Sequence, residues 1–264
     1  MIFDLLMKRY VWRLQNFWQN RSAVEVGGVL AGKLKRVTAS WDDFQSMFLK
    51  PLTPGRMVYS NDVPVRRAHF LSDNDDDPFY EEGLINRVQG TVRPGDDVVI
   101  IGGGNGISAV VAAWKTGSDG QLFVFEPAEQ QVEKIHHISE LNGIQDVLTV
   151  NHAHVGRLVS TFGNVSDSSH VPPKELPECD VLVMDCEGAE LEILSNMEIK
   201  PDQIVVETHG MLDSSQNEVV DLLKDNGYEI DGQELAISSV PDRRTYCERN
   251  GIYVVAASML TEHN

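Results

Sequence analysis

The stretch Asp97-Val98-Val99-Ile100-Ile101-Gly102-Gly103-Gly104-Asn105-Gly106-Ile107-Ser108 leaves this chain few folds to choose from. Val98 to Ile101 is an unbroken apolar, β-branched run, the pattern of a strand buried on both faces of a parallel sheet. Glycines follow at 102, 103, 104 and 106, and the Ala/Val-rich segment from Ser108 to Trp114 then reads as a helix. Strand, glycine turn and helix together leave backbone N–H groups facing a ligand, and the helix N-terminus adds about half a positive charge. An ordinary tight turn has the same local pattern. What raises it to a nucleoside site is the next strand, Gln121 to Phe125, which ends at Glu126. That acid falls about twenty residues after the glycines, where a carboxylate can accept both hydroxyls of a ribose.

The dinucleotide pattern G-x-G-x-x-G would need its third glycine at Ile107 if it began at Gly102. The chain instead has G-x-G-x-G at Gly102, Gly104 and Gly106, a spacing common in S-adenosylmethionine sites. Without side chains there, the backbone can approach a methionine moiety closely. Spacing alone leaves a nicotinamide cofactor open as the rival.

Net charge is −18, with a pI near 4.7, which argues against a nucleic-acid partner because phosphate binding needs a basic face. At 264 residues and 42% hydrophobic content the chain can bury a real core. Its acid excess, with Arg outnumbering Lys, suits a protein working in concentrated salt, where screening makes the repulsion tolerable. Three cysteines, Cys179, Cys186 and Cys247, have no metal-ligand spacing and read as reduced thiols in a cytoplasmic protein. No apolar run approaches the roughly 20 residues of a membrane span. Asp4, Lys8, Arg9 and Arg13 interrupt any signal-peptide pattern.

Residues 1–78 are expected to be a helical N-terminal extension, serving as a lid or oligomerisation region, and 79–264 the α/β domain. Residues 2–19 carry Phe3, Leu6, Tyr10, Leu14 and Trp18 near one face of an amphipathic helix made basic by Lys8, Arg9 and Arg13. Docking on its own domain or on a sister subunit is the plain reading, and peripheral membrane association the sharper one. Asp73 to Asp77 is not an EF-hand loop, since Pro78 and Leu84 stand where Gly and Glu are required. A helix is expected over 79–88 and could bring Tyr80 or Glu81 near the cofactor.

Past Glu126, Val132, Ile135, Ile138 and Leu141 recur at helical spacing up to Asn142-Gly143. Val147 to Val150 reads as a strand. The following residues, Asn151 to Val155, read as the loop that meets the base edge of a nucleoside, making Ala153 and His154 cofactor candidates. Residues 163–178 read as a long loop shaping a substrate mouth. The strand Asp180 to Met184 delivers Asp185-Cys186-Glu187-Gly188-Ala189-Glu190, and carboxylates at a strand's C-terminal end are where open α/β folds place ligand chemistry. Asp185 and Glu187 are candidates to orient an acceptor hydroxyl, take its proton or face a sulfonium. The strand Gln203 to Val206 ends in Glu207-Thr208-His209, and His209 is the histidine placed for a general base. Asp185, Glu187 and Glu207 could hold Mg²⁺, but no spacing requires a metal and none is expected. Strands at 228–230 and 252–255 close a doubly wound, mostly parallel sheet.

Taken together, these residues resemble the FkbM-type family of S-adenosylmethionine-dependent methyltransferases. Val181 to Leu194 is similar to that family's D-x-E-G-A-E motif followed by Leu, and the order of Gly102, Gly106, Glu126, Glu207 and His209 is similar over roughly residues 94 to 210. The resemblance implies a class I methyltransferase fold, Rossmann-like, with a seven-stranded sheet whose last strand is antiparallel. It further implies S-adenosylmethionine as cofactor and O-methylation of a small-molecule or sugar hydroxyl. Ile100 stands where many such enzymes carry an acid, and Gly104 replaces a frequent Asn. These departures keep a catalytically inactive assembly module beside the oxidoreductase as an alternative. The charge excess itself predicts that the melting temperature of the purified protein rises from low to molar KCl, and an unchanged one would remove the halophilic expectation.

Overall fold

Four apolar runs of the sequence become the centre of one sheet. The computed structural model describes residues 56–68, 76–158 and 164–260. Two units divide the chain, residues 1–58 with 67–75 and residues 59–66 with 76–264. Of the first, only the strand ends at 56–58 and 67–68 are described. The expected basic helix at 2–19 and the start of the acidic run at 73–75 lie outside the described residues. Within 1–78, the described part is not helical but a two-stranded hairpin, β1 (Arg56–Ser60) with β2 (Val63–Ala68).

In the second unit, α1 (Glu82–Thr91) leads into β3 (Val98–Ile101), α2 (Ile107–Thr116), β4 (Leu122–Glu126), α3 (Glu129–Asn142), β5 (Leu148–Val155) and β6 (Ser169–Val171). Then come β7 (Val181–Met184), α4 (Glu190–Asn196), β8 (Gln203–His209), α5 (Gln216–Asp225), β9 (Tyr228–Leu235), α6 (Pro241–Asn250) and β10 (Ile252–Met259). The strand order is β6-β5-β4-β3-β7-β8-β10-β9. Only β10 runs against the rest, antiparallel to both β8 and β9. The seven expected strands are all present, with the antiparallel one last in the chain as expected.

Side-chain alternation sorts each central strand onto two cores. Val98, Ile100, Leu122, Val124, Val181, Val183 and Val205 point to one face, under Leu84, Val88, Val110, Ile135 and Ile138 of α1, α2 and α3. Val99, Ile101, Leu182, Met184, Ile204 and Val206 point to the other, under Ile193 and Leu194 of α4 and Val219 and Leu223 of α5. Both faces are therefore covered by helices, which is why these strands carry no polar alternation.

The helix ends obey local chemistry. Gly143 takes a left-handed conformation (φ 66°) and its N–H closes α3 on Ser139 and Glu140. Ser215 and Glu218 form a capping box at the start of α5.

Several expectations at the strand ends are corrected. Asn151 to Val155 is not a loop but the second half of β5, with Ala153 and Val155 buried and His152 and His154 alternating with them. The stretch read as a loop over 163–178 contains an eighth strand, β6, paired in parallel with β5 from Ala153 opposite Ser169, and a short 3₁₀ turn at Pro173–Glu175. Three residues are too few to show a period. Helix α1 starts at Glu82 rather than 79, because Glu81 is in the left-handed region (φ 47°). Helix α6 has no apolar stripe to signal it: Cys247 is its one buried residue. It is held by Pro241 at its start, by Arg244–Glu248 along its length and by a paired contact from Arg243 to Asp77 at 2.8 and 3.0 Å. Among the described residues no helix is long and apolar enough to cross a membrane.

Replacing Leu182, fully buried in β7, by Ala is expected to cost about 2–5 kcal/mol of unfolding free energy. Ser215→Ala at the α5 cap is expected to cost about 0.5–2 kcal/mol. Urea unfolding of both variants measures the ranking.

Candidate active site

Strand order reverses direction at β3, whose neighbours are β4 on one side and β7 on the other. At such a switch point the connections leave in opposite directions and a crevice opens beyond the strands' carboxyl ends. Here it is a cavity of about 410 Å³. Its wall is built from the ends of β3 (Ile101, Gly102), β4 (Phe125, Glu126), β5 (Ala153, His154, Val155) and the turn after β7 (Asp185, Cys186, Glu187).

Gly102 shows why the first loop needs glycine. Its φ is 87°, and a Cβ there would stand 1.8 Å from the carbonyl oxygen of Asp185. The loop is held by Glu126, which accepts the N–H of Gly104 at 2.9 Å through Oε2 and that of Ala128 at 2.8 Å through Oε1. Burial raises the Glu126 carboxyl above its usual range, although both amide hydrogen bonds favour the ionised form. Gly104 also lines the cavity, and a Cβ built on it would meet nothing closer than Glu81 Oε1 at 3.7 Å. Gly106 does not reach the cavity. It is the N-cap of α2 with φ 81°, packed against Ile135, so its glycine serves the turn itself.

Around the rest of the rim, Asn105 donates to the Tyr80 hydroxyl at 2.7 Å and accepts from Lys134 at 3.2 Å. Arg157 donates to the carbonyl of Gly188 at 2.5 Å, tying the end of β5 to the turn after β7. His154 shares a hydrogen bond with Ser168 at 3.1 Å, and its ring lies 5.2 Å from that of His170. Burial, with His170 beside it, lowers the pKa of His154.

The carboxylates gather behind one wall. His209 is 4% exposed and donates from Nδ1 to Glu190 Oε1 at 2.8 Å. Its Nε2 lies 3.5 Å from Asp185, 3.7 Å from Glu187 and 3.9 Å from Glu207. Burial alone would lower the His209 pKa, but the Glu190 hydrogen bond and the Asp185 charge more than offset it and hold it at about 9. Burial would raise Glu190, yet the bond to His209 keeps it below the usual carboxylate range. Asp185 is pushed up to about 7 by burial, with His209 opposing and Glu187 adding to the rise. Glu207 is raised well above the carboxylate range, by burial and then by Asp185 and Glu81. Glu81, raised to about 8 by burial and then by Asp185, faces the same cavity.

Of the residues singled out from sequence, Gly102, Gly104, Glu126, Ala153, His154, Asp185 and Glu187 line one cavity, while Gly106 and His209 do not. His209 lies off the cavity wall. It sits behind Asp185, and its raised pKa favours the protonated ring, a counter-ion to the acids around it. Lys134, Gln131 and Arg157 on the wall carried no sequence signal, because each is an isolated polar residue on a helix or strand end. Glu190 is fully buried, and removing its charge strands the imidazolium. Glu190→Ala is expected to lower the unfolding free energy by about 3–5 kcal/mol in a urea titration.

No curated protein matches the chain significantly. Solved structures are similar to it weakly and at low identity. A SAM dependent methyltransferase from Aquifex aeolicus is 15% identical over 69% of this chain and 90% of that one, with a TM-score of 0.44. The ribosomal protein L11 methylase from Lactobacillus delbrueckii subsp. bulgaricus is 16% identical over 67% and 77%, with a TM-score of 0.44. Aeropyrum pernix fibrillarin, in complex with natively bound S-adenosyl-L-methionine, is 12% identical over 63% and 68%, with a TM-score of 0.42. The glycine loop and Glu126 fall outside the one family match. Residues 164–230, which carry β7, the Asp185–Glu190 turn, β8 and His209, match the family model of the methyltransferase FkbM domain.

Proposed function

We propose that this protein is an S-adenosylmethionine-dependent methyltransferase acting on a hydroxyl of a small molecule or sugar. The observation that carries the reading is Glu126: it ends β4 at the cavity wall and holds the glycine loop by the Gly104 amide. The FkbM domain match over 164–230 supports it from the other half of the site. The donor set fits the group. Gly102 and Gly104 present backbone without side chains, Glu126 offers acceptor oxygens for a ribose, and Ala153 and His154 border the place for a base. Burial raises the pKa of the wall acids Glu81 and Asp185, and a sulfonium or α-ammonium beside them would favour their ionised forms.

S-adenosylmethionine supplies an electrophilic methyl group on a sulfonium. The chain's own task is then to hold the acceptor oxygen in line and to accept its proton. Orientation can contribute up to about 7–11 kcal/mol, and a positioned base about 10²–10⁴ in rate. Asp185 and Glu187 are the carboxylates on the cavity wall for that task. His209 supports them from behind as a cation that opposes the burial raising Asp185.

Calorimetry with S-adenosylhomocysteine and with NADH tests the reading. The expected outcome is one-to-one binding of the first and none of the second. Glu126→Ala should weaken S-adenosylhomocysteine binding at least tenfold, since charge-assisted hydrogen bonds contribute about 1.5–3 kcal/mol each. Equal binding by wild type and variant would overturn the placement of the ribose.

A further inference from the structure

We infer that Asp185, Glu207 and His209 form a binding site for one divalent cation, at the edge of the cavity and separate from the nucleoside. One donor atom from each of these three residues lies within 4.8 Å of the others. Around His209 Nε2, the Asp185 and Glu207 oxygens stand at 3.5 and 3.9 Å, too far for hydrogen bonds. Ligand atoms held about 2.0–2.6 Å from one ion stand about 3–3.7 Å apart when adjacent, so this spacing closes on a cation with small movements.

Three further observations point to a ligand rather than to a packed acidic cluster. Glu207 is 9% exposed, and its Oε2 is fully buried without a hydrogen-bond partner, as is Asp185 Oδ1. Buried carboxylate oxygens in that condition are costly unless something pairs with them. His209 is aimed by its second nitrogen, which donates to Glu190 at 2.8 Å. This is the arrangement by which a carboxylate fixes the tautomer and direction of a metal-bound imidazole. Finally, one imidazole faces four carboxylates, those of Asp185, Glu187, Glu190 and Glu207.

The proposed nucleoside cannot meet this need, because Glu207 and His209 are not on the cavity wall and Asp185 alone is shared. Two carboxylates with one imidazole favour an oxygen-seeking ion that tolerates one nitrogen, the class of Mn²⁺. Binding would release the Nε2 proton of His209. Glu187 would remain the free carboxylate at the wall. None of this depends on methyl transfer.

The test uses the full chain, stripped with EDTA and titrated with Mn²⁺ alone, read by electron paramagnetic resonance and calorimetry. Wild type is expected to take up one equivalent with a submillimolar Kd. Glu207→Gln and Asp185→Asn should each weaken uptake at least tenfold while keeping a cooperative melt. Crystals of the wild-type protein soaked in Mn²⁺ should show an anomalous peak between the three side chains, an arm that needs no variant. No saturable uptake, undiminished uptake by both variants, or a peak elsewhere overturns the inference. S-adenosylhomocysteine binding, measured on the same samples, reports on the methyltransferase reading separately.

Discussion

Beyond the last paired residues of β3 and β7, the chain passes Gly102 so close to the Asp185 carbonyl that no side chain fits between them. The Asp185 N–H donates back to Ile101 at 2.9 Å, and the Gly102 N–H to Phe125 at 2.9 Å. These contacts hold three strand ends together at the point where their connections diverge. Had the strands splayed, the glycine loop would lose its anchor and the Asp185–Glu190 turn would swing away from the cavity. Both halves of the site hang on this close approach.

The second constraint is electrostatic. The sheet ends bury carboxylates from the starts of α1 and α4 and the ends of β4, β7 and β8 within one region, and among the described residues His209 is the buried imidazolium that opposes them. Desolvation and mutual repulsion raise Glu81, Asp185 and Glu207 together, a cost that a stability-optimised core would avoid. Backbone strain is present in the same place. Glu81 and Glu187, both on the cavity wall, have left-handed backbones at φ 47° and 52°. Such conformations cost a non-glycine residue about 1–3 kcal/mol and persist where surrounding structure holds them. Charge and strain thus accumulate where a cationic ligand would relieve the first and use the geometry set by the second.

Much of this is legible in the sequence. Val98–Ile101 and Val181–Met184 announced doubly covered strands because a parallel sheet leaves no polar face to alternate. Gly143 marked a helix end because its chemistry acts within one turn of chain. The glycines, Glu126 and the Asp185–Glu190 turn were identifiable as site residues because each follows a strand at a fixed short distance. Other features had no such local signature. Helix α6 hides because its stabilising partners, Asp77 above all, are distant in sequence. Strand β6 hides because pairing with β5, not side-chain pattern, makes it a strand.

By itself, then, the sequence determined the layered α/β sheet and most of the residues that meet at its carboxyl edge, since both follow from periodicity and short spacings. Only the tertiary structure decided that Gly106 stays behind the loop. It alone turned His209 away from the wall, onto Glu190 and toward Glu207. The reason is that burial and charge pairing are sums over neighbours from several strands, and no single stretch of chain contains them.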